Sequence, residues 1–155
     1  MDKKAALSDI MEIARSNEEK GARFYARMAE RAGSESIKSV FKKLAGEELE
    51  HKAAFKKMLG MEAQSGEELG EEEGKLLQSL ISTSVFQSMT EDSWEVLSPA
   101  DALAIGVQAE KDSILLYQSV FNQSESPVVR NMLSILLEEE KRHLVELREH
   151  LEEMR

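Results

Sequence analysis

Glu48-Leu49-Glu50-His51 and Glu140-Lys141-Arg142-His143 are one short pattern, Glu-x-x-His, met twice at a spacing of 92 positions. Glutamate is abundant here, so a single such tetrad carries little weight. The chain has only three histidines, however, and two of them stand in this pair. Moving outward at the same spacing, Glu18 falls on Glu110, Tyr25 on Tyr117, Ile37 on Val129, Phe41 on Leu133, Leu44 on Leu136 and Phe55 on Leu147, without a gap. The chain reads as two copies of one helical hairpin.

The punctuation around each copy supports this. Apolar residues recur at helical spacing from about Lys4 to Ala32, and Gly33 ends the run. Ser34 can cap a second helix that is expected to stop at Leu59, with Gly60 in the left-handed conformation common at helix ends. Ser98-Pro99-Ala100-Asp101 combines a Ser cap, Pro at the first helical position and an acid in the first turn, opening a third helix that ends near Asn122. Ser126-Pro127 opens a fourth, to about Glu153, by the same logic. Residues 61–97 form a long crossover with one helical stretch from about Lys75 to Gln87. Such a connection joins helices that run in the same direction, so the expected order is up, down, down, up. The expectation is an all-α, single-domain four-helix bundle over residues 1–155, with hairpins at 4–60 and 98–153.

The apolar stripes of these helices are interrupted at matched heights. Helix one reads Leu7, Ile10, Met11, Ala14, Glu18, Gly21, Tyr25, Met28; helix four reads Val129, Leu133, Leu136, Glu140, His143, Leu147. Glu48 and His51 interrupt helix two in the same way, and Glu110 interrupts helix three. Unpaired buried carboxylates cost several kcal/mol each, so something must neutralise them. Four carboxylates carry about −4 and neutral imidazoles carry nothing, which two divalent cations would balance. Glu18, Glu48, His51, Glu110, Glu140 and His143 are therefore the candidate metal ligands. Each Glu-x-x-His helix is expected to serve one ion, because residues three apart share a helical face. Glu18 and Glu110 are then expected to bind or bridge the pair. Glu47, Glu50, Glu138 and Glu139 fall off the stripe and read as solvated surface. Tyr25 and Tyr117 lie on the core stripe, where an aromatic more often packs than serves a site.

Composition narrows the chemistry. With 30 acidic against 20 basic residues the formal charge is −10, which offers no basic stripe for nucleic acid. The absence of cysteine removes disulfides, thiolate ligands and a nucleophilic thiol, leaving oxygen and nitrogen donors for any metal. The charged first twenty residues do not read as a secretory signal, and no apolar run is long enough to span a bilayer, so a cytoplasmic protein is expected.

Through Glu18-x-x-Gly21-x-x-Phe24-Tyr25, Glu48-x-x-His51, Glu110-x-x-Ser113-x-x-Leu116-Tyr117 and Glu140-x-x-His143, the sequence resembles the rubrerythrin and ferritin-like superfamily over nearly its whole length. The resemblance implies two iron ions at a non-haem site that reacts with hydrogen peroxide or dioxygen, in a homodimer. Donor chemistry alone also admits manganese or zinc. Rubrerythrins usually carry a cysteine-ligated iron domain as electron donor; this chain has no cysteine, so a separate rubredoxin-type protein is the expected donor. They also typically bear an extra Glu where this chain has Ser113. The haem-binding Met of bacterioferritin corresponds to Leu49, and only twelve residues follow His143, so a ferritin-like storage shell is not expected. Ferrous iron oxidation is the alternative activity, and a non-catalytic helical bundle is the second alternative.

Overall fold

The computed structural model describes residues 6–65, the side chains of 62–65 excepted, and 68–154. Four long helices carry the bundle: α1 (Leu7–Arg31), α2 (Glu35–Ser65), α5 (Pro99–Gln123) and α6 (Pro127–Glu153). Between α2 and α5 lie α3 (Glu71–Ser82), α4 (Val85–Ser88) and a 3-10 helix (Glu91–Val96). Lys4, expected in the first helix, lies outside the described residues. No strand occurs among the described residues beyond an isolated bridge between Ala6 and Glu68.

The helix starts follow local chemistry. Ser34 Oγ accepts from the Ile37 amide at 3.2 Å and opens α2. At α5 the box is reciprocal: Ser98 Oγ accepts from the Asp101 amide, and Asp101 Oδ2 accepts from the Ser98 amide. Ser126 Oγ caps α6 through the Val129 amide.

Two departures from the sequence reading concern where helices stop. α2 does not end at Gly60 but runs through it to Ser65. Glycine in a helix interior costs about 1 kcal/mol relative to alanine, and Leu59 and Met61, packed against the core on either side of it, offset that cost. The crossover is not one helix over Lys75–Gln87 but two, because α3 starts earlier, at Glu71, and stops at Ser82. Glu71, Glu72 and Glu73 favour the early start by meeting the positive end of the helix dipole. At its end Thr83 Oγ1 donates to Ser79 O at 2.7 Å and Ser84 Oγ to Ile81 O at 2.8 Å, so side chains close the last turn and let the chain bend.

The apolar core divides into two clusters. One gathers Leu7, Ile10 and Met11 of α1 with Phe55 and Met58 of α2, Tyr117 and Val120 of α5, and Leu133 of α6. The other gathers Phe24 and Met28 of α1, Phe41 and Leu44 of α2, Leu103 of α5 and Leu147 of α6. The start of α1 therefore sits with the ends of α2 and α5 and the start of α6, which is the expected up, down, down, up order. Between the clusters, at mid-height, lie six buried ionisable side chains.

Candidate metal centre

Those six are Glu18, Glu48, His51, Glu110, Glu140 and His143, each no more than 4% exposed. They form two groups of four whose donor atoms lie within 4.8 Å of one another: Glu18, Glu48, His51 and Glu140, and Glu48, Glu110, Glu140 and His143. Glu48 and Glu140 belong to both groups. The carboxylates of the two Glu-x-x-His tetrads are thus common to both groups, while Glu18 and Glu110 each belong to one, so of the two roles expected for Glu18 and Glu110 binding fits the grouping better than bridging. Helix spacing puts Glu48 and His51 on one face but leaves open which carboxylate lies nearer the bundle axis, a matter of how the four helices are rotated.

The orientation of the imidazoles is equally specific. His51 Nδ1 faces inward, 2.6 Å from Glu140 Oε1 and 3.8 Å from Glu18 Oε2. His143 Nδ1 also faces inward, 3.8 Å from Glu110 Oε2 and 4.0 Å from Glu140 Oε1. The rings stack at 5.8 Å with 17° between their planes. Their outer nitrogens meet residues read from the sequence as solvated surface: His51 Nε2 lies 2.6 Å from Glu139 Oε2, and His143 Nε2 contacts Glu47 Oε2. Glu47 and Glu139 are only half-buried, which is why a core stripe does not include them, yet they too are related by the 92-residue repeat. Asking which off-stripe residues the repeat preserves would have narrowed the choice to a few pairs, this one and Asp9 with Asp101 among them.

Tyr25 and Tyr117, equivalent in the repeat, differ in use. The Tyr25 hydroxyl donates to Glu110 Oε1 at 2.9 Å. The Tyr117 ring packs on Phe55 at 4.9 Å, and its hydroxyl makes no hydrogen bond to Glu18 among the described residues.

Concentrating four carboxylates away from water perturbs their protonation. Burial pushes Glu18 up to about 8, with the close approach of Glu48 opposing the effect and the Glu110 charge adding to it. Burial and the neighbouring glutamates raise Glu48 and Glu140 well above the usual carboxylate range. Burial acts on Glu110 too, but the close approach of Glu140 and His143 and the hydrogen bond from Tyr25 outweigh it and hold that carboxyl low. Burial would lower His143, but the approach of Glu110 and the Glu110 and Glu47 charges raise it.

The donor set fits a pair of cations. Both oxygens of Glu18 and of Glu140, Glu48 Oε1, Glu110 Oε2 and the Nδ1 atoms of both histidines are buried without a hydrogen-bond partner. Orphaned atoms in that number are rare in a native core, and they converge on the same small volume. Lone-pair atoms as close as His51 Nδ1 and Glu140 Oε1 need a proton or a cation between them.

The surroundings of the centre are unequal. On the α1–α5 side, α4 lies across the seam: Val85 N donates to Asp112 Oδ2 at 2.8 Å, and Lys20 Nζ donates to Phe86 O at 3.1 Å. A Cβ at position 21 would lie 3.2 Å from both Phe86 Cε2 and Glu48 Oε2, so Gly21 is what lets the Phe86 ring approach the centre. On the α2–α6 side a cleft of about 170 Å³ reaches His143, lined also by Lys43, Glu47, Glu50, Glu139, Arg142 and Glu146.

Residues 9–151 match the rubrerythrin family model. The chain belongs to the rubrerythrin family. A solved structure, described as a ferritin-like diiron-carboxylate protein from Thermotoga maritima, is similar to this rubrerythrin-family chain over 100% of both, with 25% sequence identity and a TM-score of 0.75. No curated protein matches the chain. Among the described residues no helix is long and apolar enough to cross a membrane.

Proposed function

We propose that this rubrerythrin-family chain is a non-haem di-iron oxidoreductase that reduces hydrogen peroxide, or dioxygen, with electrons from a separate donor protein. The observation that carries the reading is the pair of four-residue groups sharing Glu48 and Glu140, with so many of their donor atoms buried and unpartnered. In this reading Glu18 and His51 would hold one ion, Glu110 and His143 would hold the other, and Glu48 and Glu140 would be available to both. When bound, the pair would supply two electrons, one from each ion, which with two protons from solvent take one peroxide to two waters, or one dioxygen to one peroxide.

The chain's own residues do the rest. Four carboxylates match the charge of two divalent cations, and the Nδ1 lone pairs add neutral donors that favour a transition metal over magnesium or calcium. The Tyr25 hydroxyl fixes the rotamer of Glu110. Phe86 and the surrounding aromatics keep water from the α1–α5 side, so a small oxidant would enter by the α2–α6 cleft. With no cysteine anywhere in the chain, electrons arrive from outside, and a rubredoxin-type protein is the proposed donor.

Anaerobic loading with ferrous iron followed by stoichiometric peroxide or air tests the reading. Two irons per chain and a faster reaction with peroxide are expected. Many irons per chain would favour iron oxidation and storage instead, and no bound iron would sink both.

A further inference from the structure

Glu47 and Glu139 lie outside both four-residue groups, yet each meets one of the two imidazoles at its outer nitrogen. The wiring is crossed. Glu47 of α2 reaches His143 of α6, and Glu139 of α6 reaches His51 of α2. Each is the residue immediately before a shared glutamate, Glu48 or Glu140, and the two are equivalent in the repeat. One hairpin thus carries the support for the histidine of the other.

A carboxylate at this position can only accept, so the imidazole nitrogen facing it carries the proton. The inner nitrogen, Nδ1, is then left as a bare lone pair, the form that can bind a metal. Both rings are at most 5% exposed, whereas the two glutamates are 28% and 33% exposed. An ordinary surface ion pair contributes little, but here the partner is a buried ring whose tautomer and tilt the contact selects. We infer that Glu47 and Glu139 are crossed positioning residues: each fixes the tautomer and orientation of the metal-facing histidine supplied by the opposite hairpin.

This inference rests on the di-metal reading above. The test uses the full chain, labelled with nitrogen-15 and loaded with two equivalents of zinc as a diamagnetic probe. Zinc affinity is measured by competition with a chromophoric chelator, and the ring nitrogens are read by long-range proton–nitrogen correlation. In the wild type both rings should carry their proton on Nε2. Glu47→Gln should displace the His143 ring signals, leave those of His51 in place, and weaken one zinc position by about 10–100-fold. Glu139→Gln should do the reverse, acting on His51. Glu50→Gln, in the same cleft but without an ion pair to either imidazole, should leave both rings and both affinities unchanged. The inference is overturned if each variant disturbs the histidine of its own helix, if both rings shift together, if neither ring signals nor affinity changes, or if Glu50→Gln acts as strongly. A wild-type chain that binds no zinc overturns the metal reading itself, and shows this before any variant is compared.

Discussion

The two seams of the bundle, α1–α5 and α2–α6, each join helices that the internal repeat makes equivalent, yet they have come to opposite ends. On the α1–α5 seam the repeat-equivalent residues Lys20 and Asp112 have become unlike, one a cation and one an anion. They grip an ammonium-facing carbonyl and a carboxylate-facing amide of a single helix, α4. On the α2–α6 seam the equivalents Glu47 and Glu139 have stayed alike and meet two like partners, His143 and His51. A pair that must hold one asymmetric segment has to lose its symmetry, whereas a pair that serves two equivalent rings is best kept. The seam that lost its symmetry is covered, and the one that kept it faces the cleft.

The two seams also contribute unequally to the centre, and removing one carboxylate from each should give the largest contrast. Glu140→Ala, on the cleft side, takes away a residue common to both groups and should leave no stoichiometric metal. Glu18→Ala, on the covered side, belongs to one group only and should leave one ion per chain. Metal analysis after gel filtration distinguishes them, and equal losses would end the contrast.

Next in size, Phe86→Ala should destabilise the chain by about 3–5 kcal/mol in denaturant unfolding, the usual effect of emptying a buried aromatic site. It should also speed the loss of bound metal to a chelator, whereas a change confined to the cleft, such as Glu50→Gln, should not destabilise the fold.

The metal-free chain should respond to pH through the groups both seams bury together. Folded Glu18 keeps its proton up to about 8, whereas an exposed carboxyl gives it up near 4.5. Between those values the folded state binds more protons than the unfolded one, so the melting temperature should fall as pH rises through this window. His143, raised above 6.5, acts in the same direction. Metal competes with those protons, so a loaded sample should lose the decline. A metal-free melting temperature that climbs from pH 5 to 8 would contradict the burial of these charges.

Smaller effects test how α4 is held. Asp112→Ala should cost about 1 kcal/mol by leaving the Val85 amide without its acceptor. At the bottom of the scale, Lys43→Ala breaks an exposed pair with Glu146 on the cleft rim and should change stability by about 0.5 kcal/mol or less.

Much of this was legible from the chain alone where the signal is local or repeated. Ser98-Pro99 and Ser126-Pro127 start their helices where the capping chemistry requires, because a cap depends on atoms three residues away. Gly60 misled for the converse reason: its preference for a helix end is weak, and packing at Leu59 and Met61 overrides it. The six inward residues could be found because a charge on an apolar stripe is conspicuous and the repeat shows it twice. Glu47 and Glu139 were missed because half-buried residues break no stripe, and the atoms they support belong to another helix.

By itself, then, the sequence determined four amphipathic helices, their two-hairpin organisation and six ionisable side chains at mid-height, since periodicity, capping and repetition are properties of neighbouring residues along a chain. Only the tertiary structure decided that Glu48 and Glu140 belong to both four-residue groups, that α4 covers one seam while the other opens to a cleft, and that each histidine leans on the opposite hairpin. Those facts depend on how helices are rotated and set against one another, which the spacing of residues along one helix does not encode.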